Sequence, residues 1–486
     1  MKQPVTSLTI LFCFLLFTIF SYAQKEDYVW YFGPNGAGLD FSECAPRVLN
    51  NANSNNVFFE GAASMCDKNT GEILFYTDGV SVYNANHAAM PGNPAGLWNT
   101  NTQNIIIPKP GSNTIYYLIS PEPQGHCGVG NDLYRGMIYS VIDMSLNSGL
   151  GGIVSAHNYL LDTANCEKIT AVRNSNGQDI WLIGHKYGSN RFFTFNVTSN
   201  GIDSLPIYYN VGPSISSTQF NCFDAIGELK ASPNGRKLAF TTFYSGFTAL
   251  FNFDNATGVI SNPLSLDIAG WGGYGLSFSP DNSKLYIGCV DTLQITNGNS
   301  HLFQFDLSSG DPTSIQNSRS LIYTSATSSY GSLKLAPNGK IYATLHTGNT
   351  ALGSPYLEVI NSPNNSGLAC DYVHNGLSLN GLNSSWGLNN IMEGTNYCQT
   401  TGVNEIANGN FSARVYPNPS TGVINVSLTR SLTNGTLHIF NAIGMKVYSG
   451  VFSGSQTTIN CPLPAGVYFV ELTDKDERWT QKIIKE

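Results

Sequence analysis

Apolar and polar residues alternate in short runs along most of this chain, and turn-forming residues join the runs. The clearest case is Gly227 to Phe240, GELKASPNGRKLAF, in which two apolar runs flank Asn234-Gly235. An Asn-Gly pair in this setting is a strong hairpin signal, because both turn positions are expected to need a positive φ. Similar text recurs at Tyr274 to Gly288 and at Tyr330 to Thr344. One hairpin cannot bury its apolar face alone, so the repetition predicts stacked hairpins.

Three weaker copies of the hairpin pattern come earlier in the chain, at residues 61–79, 103–120 and 167–185. From the second hairpin onward, each copy is followed by an apolar and aromatic strand that ends in Asp or Asn before a glycine turn. These polar residues stand 53, 58, 52 and 55 positions apart: Asp143, Asn196, Asp254, Asp306 and Asn361. Asp and Asn at strand ends cap turns through hydrogen bonds to the backbone. We therefore interpret them as turn residues and not as metal ligands.

The length of the repeat predicts the fold. Four strands per unit at this spacing, without a helical pattern, are typical of an all-β β-propeller. Residues 24–400 contain 6.9 repeats at the mean spacing of 54.5, which predicts seven blades, with six and eight as alternatives. Only six hairpins are visible. We predict that the strands around Trp30 and Phe41 pair with Ser385 to Met392 in the seventh blade, which would close the ring and remove exposed strand edges.

The most specific part of the repeat is the sequence of its turn, which is S-P-N-G-R-K from Ser232 and S-P-D-N-S-K from Ser279. With these turns, the region from about Tyr28 to Tyr397 resembles the YVTN and WD-type propeller families. The first two copies of the repeat depart from that text. The resemblance implies a propeller domain at residues 24–398 and leaves its ligand open.

The N-terminus has the pattern of a secretory signal peptide. Lys2 precedes an apolar run from Leu8 to Phe20 and a small-x-small site at Ser21-Tyr22-Ala23. A membrane span needs about 20 apolar residues, so the pattern favours a cleaved signal at residues 1–23. Export permits disulfides among the nine cysteines that follow, but their pairing cannot be read from the sequence. Buried single cysteines are an equally good interpretation.

Composition and motifs exclude several classes of function. Charged residues make up 12% of the chain and the net charge is −8, so no basic patch favours nucleic acid or an anionic membrane. The chain has no G-x-S-x-G, H-E-x-x-H or Walker sequence. Gly270 to Gly275 fits G-x-G-x-x-G but leads into a strand, so no helix N-terminus can hold a pyrophosphate. We expect no catalytic residue, no cofactor and no metal site.

The start of each predicted innermost strand has an acidic, amide or aromatic residue. These seven residues are Glu60, Gln103, Glu167, Glu228, Tyr274, Tyr330 and Trp386. If the ring closes, they meet around the central funnel, with Lys168, Lys230 and Lys334 close behind. Acids, amides and aromatic faces in a concave site suit a sugar or peptide ligand. The alternative is that they cap strands and pack neighbouring blades.

The text changes after Cys398. Residues 399–412 are polar and small, as in a linker. Residues 413–486 then return to short alternating strands with turn residues between them, which predicts a small Ig-like β-sandwich.

Three ordered motifs mark this tail. The sorting residues are Pro417, Asn418, Pro419 and Gly422, then Gly444, then Gly466 and Tyr468, and finally Lys482 in a basic, apolar ending. On these motifs the tail resembles the type A C-terminal sorting domain of bacterial type IX secretion, although Asn441 stands where that family usually has Asp. The resemblance implies passage across the outer membrane, removal of the tail by a sortase-like peptidase and often attachment to surface lipopolysaccharide.

Together these patterns predict a secreted, cell-surface-displayed propeller for binding or adhesion, with a glycan or protein ligand at its funnel. Its partners would be the type IX machinery and the sortase-like peptidase, with no nucleic acid and no transmembrane anchor. One alternative is an extracellular propeller hydrolase or lyase that acts on a glycan or lactone-like substrate. Another is a structural component of the cell-surface machinery.

Overall fold

The computed structural model describes residues 25–53, 60–92, 103–121, 136–161, 165–215, 223–291, 299–347, 353–393, 398, 413–441, 445–460, 462–474 and 477–486. The predicted signal peptide, the predicted linker and Gly444 lie outside the described residues. The chain divides into two compact units, Met1–Cys398 and Gln399–Glu486, and each is described by itself.

The first unit consists of small antiparallel sheets that follow one another along the chain, seven of them in its described part. The first two have three strands each: β1 (Val29–Tyr31), β2 (Gly38–Asp40) and β3 (Arg47–Leu49), then β4 (Ala63–Cys66), β5 (Ile73–Thr77) and β6 (Val82–Asn84). The third has β7 (Ile105–Pro108), β8 (Ile115–Ser120), β9 (Met137–Asp143) and β10 (Gly152–Leu161). The fourth has β11 (Asn165–Arg173), β12 (Ile180–Lys186), β13 (Ser189–Thr198), β14 (Gly201–Ile202) and β15 (Ile207–Ile215), the last two both paired with β13.

The remaining three sheets of this unit have four strands each, in sequence order. The fifth has β16 (Leu229–Ala231), β17 (Lys237–Thr241), β18 (Thr248–Asp254) and β19 (Val259–Leu266). The sixth has β20 (Gly272–Phe278), β21 (Lys284–Val290), β22 (Ser300–Asp306) and β23 (Ser320–Ser325), with the short helix α1 (Pro312–Asn317) before β23. The seventh has β24 (Ser328–Leu335), β25 (Ile341–Thr347), β26 (Tyr356–Ile360) and β27 (Tyr372–Ser378).

The hairpin that the sequence marks most clearly forms between β16 and β17, with Leu229 opposite Phe240. Its turn differs from the predicted two-residue type. It runs from Ser232 to Arg236, and of the Asn-Gly pair only Gly235 has a positive φ, at 64°. The Ser232 hydroxyl accepts a hydrogen bond from the Lys237 amide at 2.9 Å. This side-chain contact stabilises a wider loop, so the second positive φ is not needed.

The first strands of successive sheets lie side by side. Strands β4, β7, β11, β16, β20 and β24 each contact the next one in this order, and β1 contacts β4. Sheets that meet through their first strands are arranged around a common centre, which is the geometry of a propeller. The prediction of an all-β propeller is confirmed. Its blade number stays a prediction.

The ring closes in a way that the sequence did not predict. In the described residues β1 pairs only with β2, so the expected ladder between β1 and Ser385 to Met392 is wrong. Instead, the Trp386 carbonyl accepts from the Ser332 amide at 2.8 Å, and the Asn390 amide donates to the Ala62 carbonyl at 3.0 Å. The Asn389 side chain adds a bond to Asp27 at 2.8 Å. Two backbone bonds and one asparagine side chain therefore hold the closing segment to its neighbours in place of a strand ladder.

A disulfide joins Cys44, which follows β2, to Cys398 at the end of the unit, 354 positions later. Four other cysteines in the described part are buried and unpaired: Cys66, Cys166, Cys289 and Cys370. The bond therefore links the N-terminal sheet covalently to the chain that leaves the propeller.

Replacing Cys44 by Ser is expected to lower the free energy of unfolding of the propeller by about 2–4 kcal/mol. The reason is that the bond restricts a very long loop in the unfolded chain. Denaturant unfolding with and without a reducing agent measures the effect. Reduction should destabilise the wild type to the level of Cys44→Ser and leave the variant unchanged. Equal stability of variant and wild type under oxidising conditions would contradict the expectation.

The second unit is one antiparallel arrangement of five strands, β28 (Ala413–Tyr416), β29 (Val423–Asn441), β30 (Lys446–Asn460), β31 (Gly466–Asp474) and β32 (Glu477–Lys485). The two longest strands, β29 and β30, shift register between Ser427 and Gly435, which joins the two halves of the unit. Its core includes Ile424, Leu437 and Trp479. The five strands form one continuous pairing pattern, and a division into the two sheets of an Ig-like sandwich stays a prediction.

The sorting motifs contact one another within this unit. Asn418 accepts a hydrogen bond from the Ile484 amide at 2.8 Å and donates to the Lys482 carbonyl at 3.0 Å. The Tyr468 hydroxyl donates to the Pro464 carbonyl at 2.9 Å. The first motif is therefore bonded to the last strand, which explains why residues so far apart in sequence form one signature.

Candidate functional site

The seven strand-start residues are all buried, and none is more than 8% exposed. Five of them form one buried cluster: Glu60, Glu167, Glu228, Tyr274 and Trp386. Burial raises the pKa of Glu60 well above its usual value, and the nearby Glu167 carboxylate raises it further. Burial also raises the pKa of Tyr274, with a further contribution from these carboxylates. The cluster therefore favours the neutral forms of Glu60 and Tyr274.

Glu228 connects three inner strands. Its carboxylate accepts from the Leu276 amide at 2.9 Å and from the Ser332 hydroxyl at 2.6 Å. Lys230 lies 3.3 Å from the same carboxylate and also donates to the Leu333 carbonyl. Burial raises the pKa of Glu228 although Lys230 opposes the shift. These bonds join the fifth, sixth and seventh sheets, so the contacts that Glu228 makes are those of a structural residue.

Gln103 also spans neighbouring sheets. Its side-chain oxygen accepts from the Leu229 amide at 2.9 Å and from the Ile169 amide at 3.1 Å. The ammonium of Lys168 donates to three backbone carbonyls between 2.6 and 2.8 Å, those of residues 224–226. Amide and ammonium groups thus satisfy backbone groups that the irregular starts of the inner strands leave unpaired.

The two remaining aromatic residues pack in different places. Trp386 lies 5.0 Å from Tyr274 and stacks on His346 at 4.7 Å, in ring-centroid distance. Tyr330 is not in this cluster, because it packs over Gly288. A Cβ added to Gly288 would lie only 2.7 Å from the Cβ of Tyr330. Its hydroxyl is bonded to that of Tyr372 at 2.9 Å. The structure brings five of the seven residues together, places Gln103 across the inner strands and separates Tyr330. Their role in ligand binding stays a prediction.

An open cavity of about 310 Å³ lies at the opposite end of the inner strands, and we call it the central cavity. It is lined where β11, β16 and β24 end, by residues 172–174, 231–235 and 335–337, together with residues 26–28 and 391–393. Its polar lining has three carboxylates, one guanidinium and three amides: Glu26, Asp27, Glu393, Arg173, Asn174, Asn234 and Asn255.

A charge triad lies at one wall of the central cavity, with its two carboxylates lining the cavity and its lysine buried behind them. The Lys334 ammonium lies 3.3 Å from Asp27 and 3.1 Å from Glu393. Burial opposes the charge on Lys334, but the two carboxylates outweigh it and raise its pKa. Burial raises the pKa of Asp27 to about 6, against the attraction of Lys334. Trp30 and Asn389 donate to the Asp27 carboxylate at 2.7 and 2.8 Å, which fixes its orientation.

A second ion pair lies beside this triad. Arg173 is bonded to Glu26 at 2.9 Å, and its side chain is 37% exposed. The guanidinium therefore has donors available to a ligand while one partner holds it in place.

Sequence reasoning missed Asp27, Glu393 and Arg173. Asp27 precedes the first strand and Glu393 follows the closing segment, so they meet only because the ring closes. No motif marks either residue. In the described part of the chain, no group of three His, Cys, Asp or Glu side chains is arranged to hold a metal ion.

Comparison with known families identifies the second unit. Residues 414–486 match the family described as secretion system C-terminal sorting domain. The tail is therefore a C-terminal sorting domain of the type IX system, and it implies export of the protein. Among the described residues, no helix is long and apolar enough to cross a membrane. No curated protein matches the chain.

Several solved structures are similar to the propeller at low sequence identity. One is a putative 6-phosphogluconolactonase from Bacteroides fragilis, with 11% identity, a TM-score of 0.44 and coverage of 75% of this chain and 97% of that one. Another is the β-propeller domain of Swd1 from Myceliophteria thermophila, with 10% identity, a TM-score of 0.40 and coverage of 68% and 93%. A third is the periplasmic gluconolactonase of Pseudomonas aeruginosa, with 11% identity, a TM-score of 0.35 and coverage of 80% and 95%. At these scores the similarity carries no argument about activity.

Proposed function

We propose that this protein is a binding protein displayed at the cell surface, which captures a glycan or protein ligand at the central cavity and has no chemistry of its own. The observation that carries the proposal is the composition of this cavity. Carboxylates, amides and a half-exposed guanidinium surround about 310 Å³ of open space at the ends of the inner strands. This volume lies at the lower end of the range of ligand pockets, roughly 300–1,000 Å³.

The polar groups of the cavity suit a ligand with hydroxyl or amide groups. The side chains of Asn174, Asn234 and Asn255 can both donate and accept, and carboxylates accept from hydroxyls. Arg173 adds a rigid fork of donors. The buried cluster around Glu60 and Tyr274 lines none of the described cavities and has no part in this proposal.

The sorting domain supports the export part of the proposal. We propose that the type IX machinery recognises this unit, that a sortase-like peptidase removes it, and that the propeller is then attached to the outer surface. The N-terminal signal pattern provides the first step, across the inner membrane.

A hydrolase or lyase is the second candidate, and one observation favours it. Asp27 and Glu393 share the central cavity on either side of Lys334, and the pKa of Asp27 is about 6. A general acid or base works best when its pKa is near the working pH. Cleavage of a bound glycan or lactone that disappears in Asp27→Asn would establish this candidate in place of pure binding.

Replacing Arg173 by Ala is expected to weaken ligand capture by about tenfold, which corresponds to about 1.4 kcal/mol. The purified mature protein would be screened on a glycan and peptide array, and the strongest ligand titrated by calorimetry. Arg319→Ala is the matched control, because Arg319 is 33% exposed and bonded to one aspartate at 2.8 Å, but lines none of the described cavities. After incubation with the wild type, the ligand should be recovered chemically unchanged, because the proposal includes no reaction.

Equal affinities for wild type and Arg173→Ala would show that the ligand binds elsewhere. Absence of any ligand on both arrays would contradict the binding function itself.

A further inference from the structure

Two more cavities open on the same face of the propeller as the central cavity. The second cavity, about 730 Å³, is lined by the turns at residues 67–69, 108–113 and 177–180. The third cavity, about 570 Å³, is lined by residues 252–255 and by the turn residues Asn234 and Asn282. All three cavities lie among hairpin turns, at the end of the inner strands that is opposite to the Glu60 cluster.

The three cavities are adjacent and share wall residues. Glu26 and Arg173 line both the central and the second cavity, so their ion pair stands at the junction. Asn234 and Asn255 line both the central and the third cavity. The amide of Asn234 donates to Asn282 at 2.9 Å, which holds neighbouring turns together at this second junction. We call the three adjacent cavities together the groove.

The charges along the groove nearly balance. Its acidic residues are Glu26, Asp27, Asp67, Asp179, Asp254 and Glu393. Its basic residues are Lys68, Lys109, Arg173, Arg236 and Lys237. A polyanion or a polycation would be attracted by a field of one sign, and this groove has none. The balance favours a ligand without net charge.

The apolar side chains of the groove are unsuited to a protein partner. The hot spots of protein interfaces are enriched in Trp and Tyr as well as Arg. The aromatic residues that line the groove are Tyr28, Tyr116 and Phe253, and none is more than 7% exposed. Seven asparagines line the groove instead, Asn174, Asn255 and Asn282 among them. Recognition therefore depends on hydrogen bonds repeated along a line.

We propose that the groove binds a linear, uncharged polysaccharide that extends from the second cavity through the central cavity to the third. The proposal rests on the binding function proposed above and specifies its ligand class. Each cavity supplies hydrogen bonds to hydroxyl groups, and a net hydrogen bond contributes only about 1 kcal/mol. Affinity must then come from several sugar residues bound at once, so it increases with chain length.

The test uses the full mature protein and neutral oligosaccharide series, from dimer to octamer, of β-1,4-glucan, β-1,3-glucan, β-1,4-mannan and β-1,4-xylan. We expect the hexamer of one series to bind at least about tenfold more tightly than its dimer. Lys109→Ala alters the second cavity and Arg236→Ala the third. Arg236 is exposed and Lys109 is half-buried, so circular dichroism should confirm that both variants keep the fold. Each variant is expected to weaken hexamer binding about threefold and to leave dimer binding unchanged. Arg319→Ala should affect neither.

The possible results separate this proposal from the binding function. Equal affinity for dimer and hexamer would overturn the polysaccharide groove and leave binding at the central cavity intact. Alginate oligomers, which are polyanions, would be tested beside the neutral series. Tighter binding of alginate or of a peptide would overturn the assignment of an uncharged polysaccharide as the ligand and leave the binding function intact. Absence of binding to all these probes and to the peptide array would overturn both.

Discussion

Ending the chain at Asn410 is expected to leave the propeller in the periplasm. The removed part contains the whole sorting domain, residues 414–486, and this unit has its own core of Ile424, Leu437 and Trp479. The propeller keeps all the internal contacts of its own compact unit, so loss of export would not result from unfolding. Cell fractionation with immunoblotting, and protease treatment of intact cells, would locate the truncated protein.

Two controls make this prediction specific. Circular dichroism of the truncated protein should show an unchanged β-sheet spectrum. Conversely, an unrelated periplasmic reporter fused to residues 399–486 should reach the cell surface. Normal surface amounts of the truncated chain would mean that the sorting domain is not the export signal.

Replacing Gly387 by Ala is expected to lower the free energy of unfolding of the propeller by about 3 kcal/mol or more. A Cβ at this position would lie 1.7 Å from the Glu60 carbonyl oxygen and 2.5 Å from its carbon. Both atoms belong to the backbone, so no side-chain rotation relieves the overlap. The closing segment would have to move away, and the hydrogen bonds of Trp386 and Asn390 would be lost with it.

Gly152→Ala is the matched control. A Cβ there would meet only the side-chain ends of Leu146 and Asn147, at 3.2 and 3.3 Å, which can move aside. We expect Gly152→Ala to change the free energy of unfolding by no more than about 1 kcal/mol. The close contacts destabilise the variant, but Ala is more stable than Gly within a strand, which offsets part of the loss. Denaturant unfolding of both variants measures the difference. An equal, small effect of the two substitutions would show that the closing segment does not hold the ring together.

The repeated hairpins could be predicted because their signals are local. The turn text at Ser232 and the alternating runs around it lie within about a dozen residues, and β16 and β17 pair there as expected. The sorting domain was predictable for a related reason, since each of its motifs is a short and specific sequence. A family match confirms it. In both cases short stretches of sequence contain the information.

Contacts between distant parts of the chain could not be predicted in the same way. Asp27 and Glu393 meet at Lys334, and Cys44 bonds to Cys398, only after the ring has closed. Alignment of the strand starts correctly brought Glu60, Glu167 and Glu228 to one place. The alignment could not show that these three glutamates are buried. It also could not show that Tyr330 packs against Gly288, in the core between two sheets.

The Cys44–Cys398 disulfide also determines how mechanical force passes through the protein. If the protein is held by its C-terminal end while an immobile polymer lies in the groove, tension enters the propeller at Cys398. Without a covalent bond, that force would act on the closing segment, and its hydrogen bonds would break one at a time. The disulfide carries the load directly to the N-terminal sheet instead, so the last segment is not peeled away. A tethered propeller of this design would keep its ring shut under shear flow.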